Sequence, residues 1–263
     1  MSNPFFSIIV VSFNAENAIE QTISSVLKQK FDSYEVIVKD GLSTDATLSK
    51  IPQSDKIHVY SQKDSGIYDA MNQAIELSNG KYLCFLNCGD YFAGENVLDG
   101  IFAVAHNYDE AVVYGNYSRK GVSFKQPGNI TDFYLYRTPL CHQTMFISKS
   151  LFEQNGLYDT KYKILADYEH TLHDYFTSKK FIHCDVNVCD YMGGGASETP
   201  KGVKLKKEER EVILKKYYST WEIKKNNLVL KLSFKGLRQK LISDKSPKWI
   251  RKIYRKFVNI INK

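Results

Sequence analysis

Before residue 91, short apolar runs recur at strand length, and each leads into a polar residue. Ser7 to Phe13 is followed by Asn14, Tyr34 to Val38 by Lys39-Asp40, Ile57 to Ser61 by Asp64, and Tyr82 to Leu86 by Asn87-Cys88-Gly89-Asp90. The first run, Ser-Ile-Ile-Val-Val-Ser-Phe, is nearly continuous in β-branched residues, the pattern of a strand buried on both faces. Between the runs the apolar period changes to that of a helix. Glu16 to Gln29 places Ile19, Ile23, Val26 and Leu27 on one face, and Asp64 to Asn79 does the same with Ile67, Met71, Ala74, Ile75 and Leu77 before Gly80. A shorter helix, capped by Ser43 or Thr44, is expected to end at Ile51. Strand–helix alternation of this kind demands a mostly parallel, doubly wound α/β sheet with flanking helices.

In such sheets ligands bind beyond the carboxyl ends of the strands, where Asn14, Asp40, Asp64 and Asp90 all fall. Asn, Gly and Asp are also ordinary turn residues, so Asn87 to Asp90 taken alone leaves a turn and a ligand site both open. The recurrence of polar groups on one rim has no packing rationale and favours a site. A carboxylate there suits a hard divalent cation carrying phosphates.

Further along, Glu95 to His106 reads as a helix and Ala111 to Tyr117 as a strand. Residues 118–140, with Gly121, Pro127, Gly128 and Pro139, read as an irregular, pocket-lining excursion. Cys141 to Ser148 reads as a strand opening on His142-Gln143, Leu165 to Thr177 as a helix, and Phe181 to Met192 as a strand running into the Gly193-Gly194-Gly195 loop. A hydrophobic fraction of 43% is ample for a core, and no run reaches transmembrane length. Phe5 to Phe13 lacks the basic leader of a signal peptide. The five cysteines show no paired metal spacing and are expected to be free thiols in a reducing cytosol. Motifs of serine hydrolases, P-loop enzymes and zinc proteases do not occur, and Ser12 to Asn17 lacks the basic glycine-rich loop a nucleotidyltransferase would need.

Five segments, in order, resemble the family 2 glycosyltransferases. They are Ile8-Ile9-Val10-Val11-Ser12-Phe13-Asn14, Asp40-Gly41-Leu42-Ser43-Thr44-Asp45-Ala46-Thr47, Asp64-Ser65-Gly66-Ile67-Tyr68-Asp69-Ala70-Met71-Asn72, Phe85-Leu86-Asn87-Cys88-Gly89-Asp90 and Ala166-Asp167-Tyr168-Glu169. The resemblance implies the Rossmann-like GT-A fold over residues 1–200 and an inverting transfer of a sugar from a nucleotide-sugar, by expectation a UDP-sugar, to a hydroxyl of a glycan or lipid-linked saccharide. It places Ser12, Asn14 and Asp40 by the nucleotide, and Asp64, Tyr68 and Asn72 at the donor. Asn87 and His142 would lie by the diphosphate or acceptor, and Asp90 on Mg²⁺ or Mn²⁺. Asp167 stands where the family keeps its catalytic base, with Glu169 the next candidate, although an aspartate at a helix start can equally serve as a cap. The chain departs from the commoner family pattern at two acids, since Asn87-Cys88-Gly89-Asp90 carries one carboxylate and Ala166 precedes Asp167. The alternative is a catalytically silent nucleotide-sugar-binding or scaffold protein of the same fold.

The net charge of +7 hides an asymmetry. Residues 201–263 carry twenty Lys/Arg against five Asp/Glu, a balance of +15, whereas residues 1–200 carry sixteen against twenty-four, a balance of −8. The tail is expected to form C-terminal basic amphipathic helices, one from Leu228 to Ile242 and one from Pro247 onward with Trp249, Ile253, Tyr254 and Phe257 on its apolar side. An anionic membrane surface, on the inner face of the cell membrane, is the expected partner. Packing on the body or on a second copy in a homo-oligomer is the other reading. Nucleic acid is not expected, because the acidic body would not extend the basic footprint.

Overall fold

A computed structural model describes residues 3–177 and 180–233. The alternation expected at the start of the chain is present: β1 (Phe6–Ser12), α1 (Ile19–Leu27), β2 (Tyr34–Asp40), β3 (Ile57–Ser61), α2 (Ile67–Leu77) and β4 (Tyr82–Phe85). Then come β5 (Tyr91–Phe92), α3 (Val97–Ala105), β6 (Val112–Arg119), β7 (Val122–Phe124), α4 (Asp132–Arg137), β8 (Met145–Ser148), α5 (Lys149–Asn155), α6 (Ala166–Thr177), β9 (Phe181–Asp190), α7 (Pro200–Tyr217) and α8 (Thr220–Ser233).

Among the described residues the strands form one nine-stranded sheet in the order β3-β2-β1-β4-β8-β6-β9-β5, with β7 paired to β6 off that path. β3, β2, β1, β4, β6 and β9 share one direction, and β8, β5 and β7 oppose it. This is the mostly parallel α/β sheet with flanking helices of the GT-A class. Every residue of β1, β2 and β4 is buried, as their near-continuous apolar runs require. Phe6, Ile8 and Val10 cluster with Ile19, Ile23 and Val26 of α1, while Ile9 and Ile37 alternate to the face on which α2 packs. Each such fully buried aliphatic side chain is stabilising by about 1.5–3 kcal/mol.

Where side chains compete with the backbone, the structure departs from the expected elements. The helix expected to end at Ile51 is only a 3₁₀ turn, Leu48–Lys50. Asp45 accepts from the Thr47 backbone and hydroxyl, and Ser43 is drawn to Asp40, so local bonds replace the first helical turn. The strand expected from Cys141 starts at Met145, because Thr144 bonds back to the Cys141 carbonyl and makes His142–Thr144 a 3₁₀ turn. Residues 118–140 are more regular than expected. Lys120 and Gly121 adopt positive φ (50° and 76°) and close the β6–β7 hairpin, and the Thr131 hydroxyl caps α4 by accepting from Tyr134 N. All five cysteines are free, with Cys84, Cys184 and Cys189 buried.

Two compact units are distinguished. The first, residues up to Ile130 with Leu140–Arg210, contains the sheet and α1, α2, α3, α5 and α6. The second contains, among the described residues, Thr131–Pro139 and residues 211–233. In it, Tyr136 is 1% exposed, packs edge-on against Tyr218 and donates to Asn227 Oδ1, tying α4 to α8. Of the basic segment expected from Leu228 to Ile242, residues 228–233 lie in α8. The remainder, and the helix expected from Pro247, lie outside the described residues. Among the described residues no helix is long and apolar enough to cross a membrane.

Candidate active site

The register of the first three strands assembles one end of the site. Ser12 pairs with Asp40 and Asp40 with Ser61, so three side chains meet in line at the carboxyl edge. Asp40 is fully buried. Its Oδ1 accepts from the Ser12 and Ser43 hydroxyls, and its Oδ2 from Ser43 N and the Ser61 hydroxyl, at 2.9 Å each. Burial pushes the Asp40 pKa up, but the hydrogen bonds from Ser43, Ser61 and Ser12 outweigh it and leave the group below the ordinary carboxylate value. These bonds fill about four acceptor positions, the capacity of a carboxylate. The site residue read as a nucleotide acceptor is thus present at the rim, and its direct neighbours are serines.

Beside it, the fully buried Lys39 ammonium donates to the Gln62 carbonyl at 2.6 Å and the Asp40 carbonyl at 3.1 Å, and pairs with Asp64 Oδ2 at 3.3 Å. Asp64 also accepts from Gly66 N at 3.1 Å. A Cβ at Gly41 would stand 2.7 Å from Asp64 Oδ2, so only glycine lets that carboxylate come so close. Asn14 has φ of 48°, donates from its backbone to the Ser43 hydroxyl and accepts from Thr44 N at 2.9 Å, which clips the loop after β1 to the loop after β2. Phe13 and Leu42 stand 65% and 49% exposed on this same rim.

A second cluster joins α2, the end of β4, the turn at His142 and the start of α6. Asp167 Oδ1 accepts from the Tyr68 hydroxyl at 2.7 Å, its Oδ2 lies 3.3 Å from His142 Nδ1, and His142 Nε2 lies 3.1 Å from Asn87 Nδ2. Asp167 and His142 retain 18% and 26% side-chain exposure, so the pair is open to a ligand. Burial pushes Asp167 up, yet the hydrogen bond and charge of His142, then the Tyr68 hydroxyl, hold it below the ordinary value. For His142, burial works downward, and Asp167 outweighs it to leave the imidazole above its ordinary value. Burial and the Asp167 charge push the Tyr68 phenol well up, so it stays a donor. Glu209 accepts from the backbone N–H of Lys163, Ile164 and Leu165, at 2.6, 3.0 and 2.9 Å, and so fixes the entry to α6. Glu169, two positions on, is 5% exposed and projects from a different face of the helix. Asn72 lies beside this cluster, but both ends of its amide are engaged by the backbone of Tyr158, at 2.9 and 3.0 Å.

Asp90 closes the site in the turn between β4 and β5. It is 6% exposed; its Oδ2 accepts from Gln143 Nε2 at 2.8 Å and its Oδ1 from Met192 N at 3.0 Å. Burial leaves its pKa raised in spite of those two bonds. Met192 begins the loop in which Gly193 and Gly194 take positive φ (76° and 82°) and Glu198 accepts from Gly194 N and Arg119.

The family model described as "Glycosyl transferase family 2" matches residues 7–175, which include every one of these groups except those of the 192–198 loop and Glu209. The chain belongs to this family. A "PGL/p-HBAD biosynthesis glycosyltransferase" of Mycobacterium bovis is 30% identical to this glycosyltransferase over 176 residues, 64% of this chain and 69% of the relative. Among solved structures, S. aureus TarS 1-349 in complex with UDP-GlcNAc has a TM-score of 0.62 at 17% identity, covering 97% of this chain and 80% of that one. A mannosyltransferase, PcManGT, from Pyrobaculum calidifontis in complex with GDP-Man and Mn²⁺ has a TM-score of 0.55 at 15% identity, covering 100% and 88%. Both likenesses are of fold.

Members of a family with this fold raise the question of a divalent cation. Among the described residues no group of three or more His, Cys, Asp and Glu side chains could hold one. Each Asp90 oxygen accepts one protein hydrogen bond and keeps a further lone pair. The donor set therefore fits a cation that arrives on a diphosphate and takes one carboxylate from the protein, the usual Mg²⁺ arrangement, and does not fit a free ion.

Lys39, Ser61 and Glu209 belong to the candidate site without a role expected from the sequence, and Ser43 and Phe13 stand in the quoted segments with no ligand role assigned to them. Phe13 carries a readable signal, an aromatic residue closing an aliphatic run immediately before a polar terminus. Glu209 carries none, because its role comes from a contact 44 to 46 residues away in sequence.

Proposed function

We propose that this glycosyltransferase moves a sugar, with inversion at its anomeric carbon, from a UDP-sugar to a hydroxyl of a glycan or lipid-linked saccharide in polysaccharide biosynthesis. The observation that carries this is Asp167, a carboxylate kept ionised by His142 and Tyr68 and linked through His142 and Asn87 to the ligand-binding edge of the sheet. As the acceptor oxygen attacks the anomeric carbon, Asp167 takes its proton, and the bond from that carbon to the diphosphate oxygen breaks. Asp40 acts by orienting the Ser12 and Ser43 hydroxyls, with Asn14 beside them and the Phe13 ring as a face for the base. Asp64 is held by Lys39 toward the ribose and phosphates. Asp90 would be the protein ligand of Mg²⁺ or Mn²⁺, which when bound neutralises charge on the leaving diphosphate. Donors bound by the TarS and PcManGT structures support a nucleotide-sugar, and the relative's biosynthetic name supports a surface-glycan acceptor. We further place the enzyme in the cytoplasm, on the inner face of the membrane, with its basic C-terminal region as the contact.

Calorimetric titration with UDP-, GDP- and dTDP-sugars, each with and without Mn²⁺, tests this reading. The expected result is binding of a UDP-sugar that needs the cation and is lost in Asp90→Ala. Binding of another nucleotide class corrects the donor, binding indifferent to Mn²⁺ removes Asp90 from the cation, and no binding by any donor leaves a silent scaffold.

A further inference from the structure

Asp167 is one link of a chain that passes through a single imidazole. His142 stands between Asp167 Oδ2, 3.3 Å from Nδ1, and Asn87 Nδ2, 3.1 Å from Nε2. Asn87 Oδ1 is buried and has no hydrogen-bond partner among the described residues. That orphan has a use, since a carboxamide offers a donor on one side and an acceptor on the other. With Nδ2–H toward Nε2, the imidazole is neutral, carries its proton on Nδ1 and donates it to Asp167. Half a turn of the amide presents Oδ1 to an Nε2–H, and the ring is then imidazolium. One amide thus accommodates both charge states of the ring without breaking the bond to Asp167.

We propose that His142, supported by Asn87, is the positioning residue of the base: it fixes the Asp167 carboxylate opposite Tyr68 for the incoming hydroxyl. The inference rests on Asp167 being the base. It changes the role expected of His142 and Asn87 from ligand contact to support of a catalytic group, in the way that a carboxylate–histidine pair works by orientation and charge together. The charged and titratable groups facing the ring are Asp167 from α6, Asp90 from the turn between β4 and β5 and Cys141 from its own turn, while Tyr68 from α2 and Tyr158 face the carboxylate. Asp167 and Asp90 favour the imidazolium and burial opposes it. Without the ring, Asp167 would keep the Tyr68 hydroxyl, and burial would push its pKa upward.

Two measurements decide the matter. Nuclear magnetic resonance of the intact chain labelled at histidine follows the ring nitrogens of His142 against pH, in the native protein and in Asp167→Asn. The expected result is a titration midpoint above that of free histidine, falling clearly in the variant, with the proton of the neutral ring on Nδ1. A midpoint indifferent to Asp167→Asn overturns the proposal whatever happens to activity, whereas full activity in Asp167→Asn overturns the base itself. The second measurement is release of UDP from the UDP-sugar that binds, with water as acceptor, in His142→Gln, whose amide keeps a polar contact but cannot titrate. We expect kcat to fall about 10- to 100-fold with the donor KM within about twofold, and the acid limb of kcat/KM to move to higher pH. A raised donor KM with an unmoved pH profile would return His142 to ligand contact and sink the positioning role.

Discussion

His170 is a buried imidazole with an oxygen facing each ring nitrogen. Its Nε2 donates to the Gly156 carbonyl at 3.0 Å, and its Nδ1 lies 3.2 Å from Asp174 Oδ2. Nε2 therefore bears hydrogen, and Nδ1 faces the acid from within the fold, with Phe152 stacked on the ring at 4.5 Å. Burial works to lower its pKa, and the hydrogen bond and charge of Asp174 outweigh it, leaving the group above its ordinary value. The unfolded chain releases that proton near the ordinary value of about 6.5, and the folded chain keeps it to higher pH. Between those points the folded state binds more protons, so stability is fully present below the lower one and declines as pH rises through the upper. His142, also raised, contributes with the same sign. Thermal melts at fixed ionic strength should show Tm decreasing from pH 6 to pH 8.5. His170→Gln should lower Tm at pH 6, by an amount equivalent to about 3 kcal/mol for a broken buried pair, and should flatten the slope. A variant that keeps the full slope would show that His170 is not the group responsible.

At the scale of elements, Gly80 joins α2 to β4 and touches β1. Its N–H donates to the Ser7 hydroxyl at 2.8 Å, and a Cβ there would lie 2.6 Å from the Phe6 carbonyl carbon and closer still to Ser7 N. The neighbours are backbone, which cannot swing aside, so Gly80→Ala should force β4 away from β1 and cost about 2–3 kcal/mol. Urea denaturation would check this, and a loss below about 0.5 kcal/mol would mean that the strands slide freely. In the sequence Gly80 reads only as a helix stop; the close approach that requires it depends on strand pairing, which periodicity does not encode. The same division runs through the chain. The order β1, α1, β2, β3, α2, β4 was legible because fully buried parallel strands and amphipathic helices have different periods, and the polar rim was legible because each run ends in Asn or Asp. Asp167 was legible through resemblance, but its link to Tyr68 and His142 was not, because it joins residues up to 99 positions apart. Thr199-Pro200 and Gly156 were overlooked, although a capping threonine before proline and a glycine with φ of 86° mark the start of α7 and the end of α5. The local bonds of Asp45 and Thr144, which shortened an expected helix and an expected strand, are turn chemistry that a periodicity count passes over.

For the whole molecule, the charge balance of −8 over residues 1–200 and +15 over residues 201–263 separates a body that an anionic surface repels from a region that it attracts. Within the second unit α8 gives that attraction a form. Asn226 and Val229 are buried, while Trp221 and Leu228 stand 68% and 57% exposed on the other side, among the exposed Lys224, Lys225 and Lys231. Lys225 Nζ lies 5.3 Å from the centre of the Trp221 ring, so the cation and the aromatic face are presented together. An aromatic ring and an aliphatic side chain flanked by lysines suit the level of lipid headgroups, where each lysine near an anionic surface contributes about 1 kcal/mol. The full chain should therefore float with vesicles containing about one-third phosphatidylglycerol and not with pure phosphatidylcholine. Binding should weaken steeply between about 0.1 and 0.5 M salt, where the screening length shrinks from about 10 Å to a few ångströms. Trp221→Ala with Leu228→Ala should reduce the binding that survives at high salt, and Lys224→Gln with Lys225→Gln the part that salt removes. Were flotation equal on neutral and anionic vesicles, or unchanged by both pairs of substitutions, this face of α8 would not be the membrane contact, and the basic excess would need a protein partner instead.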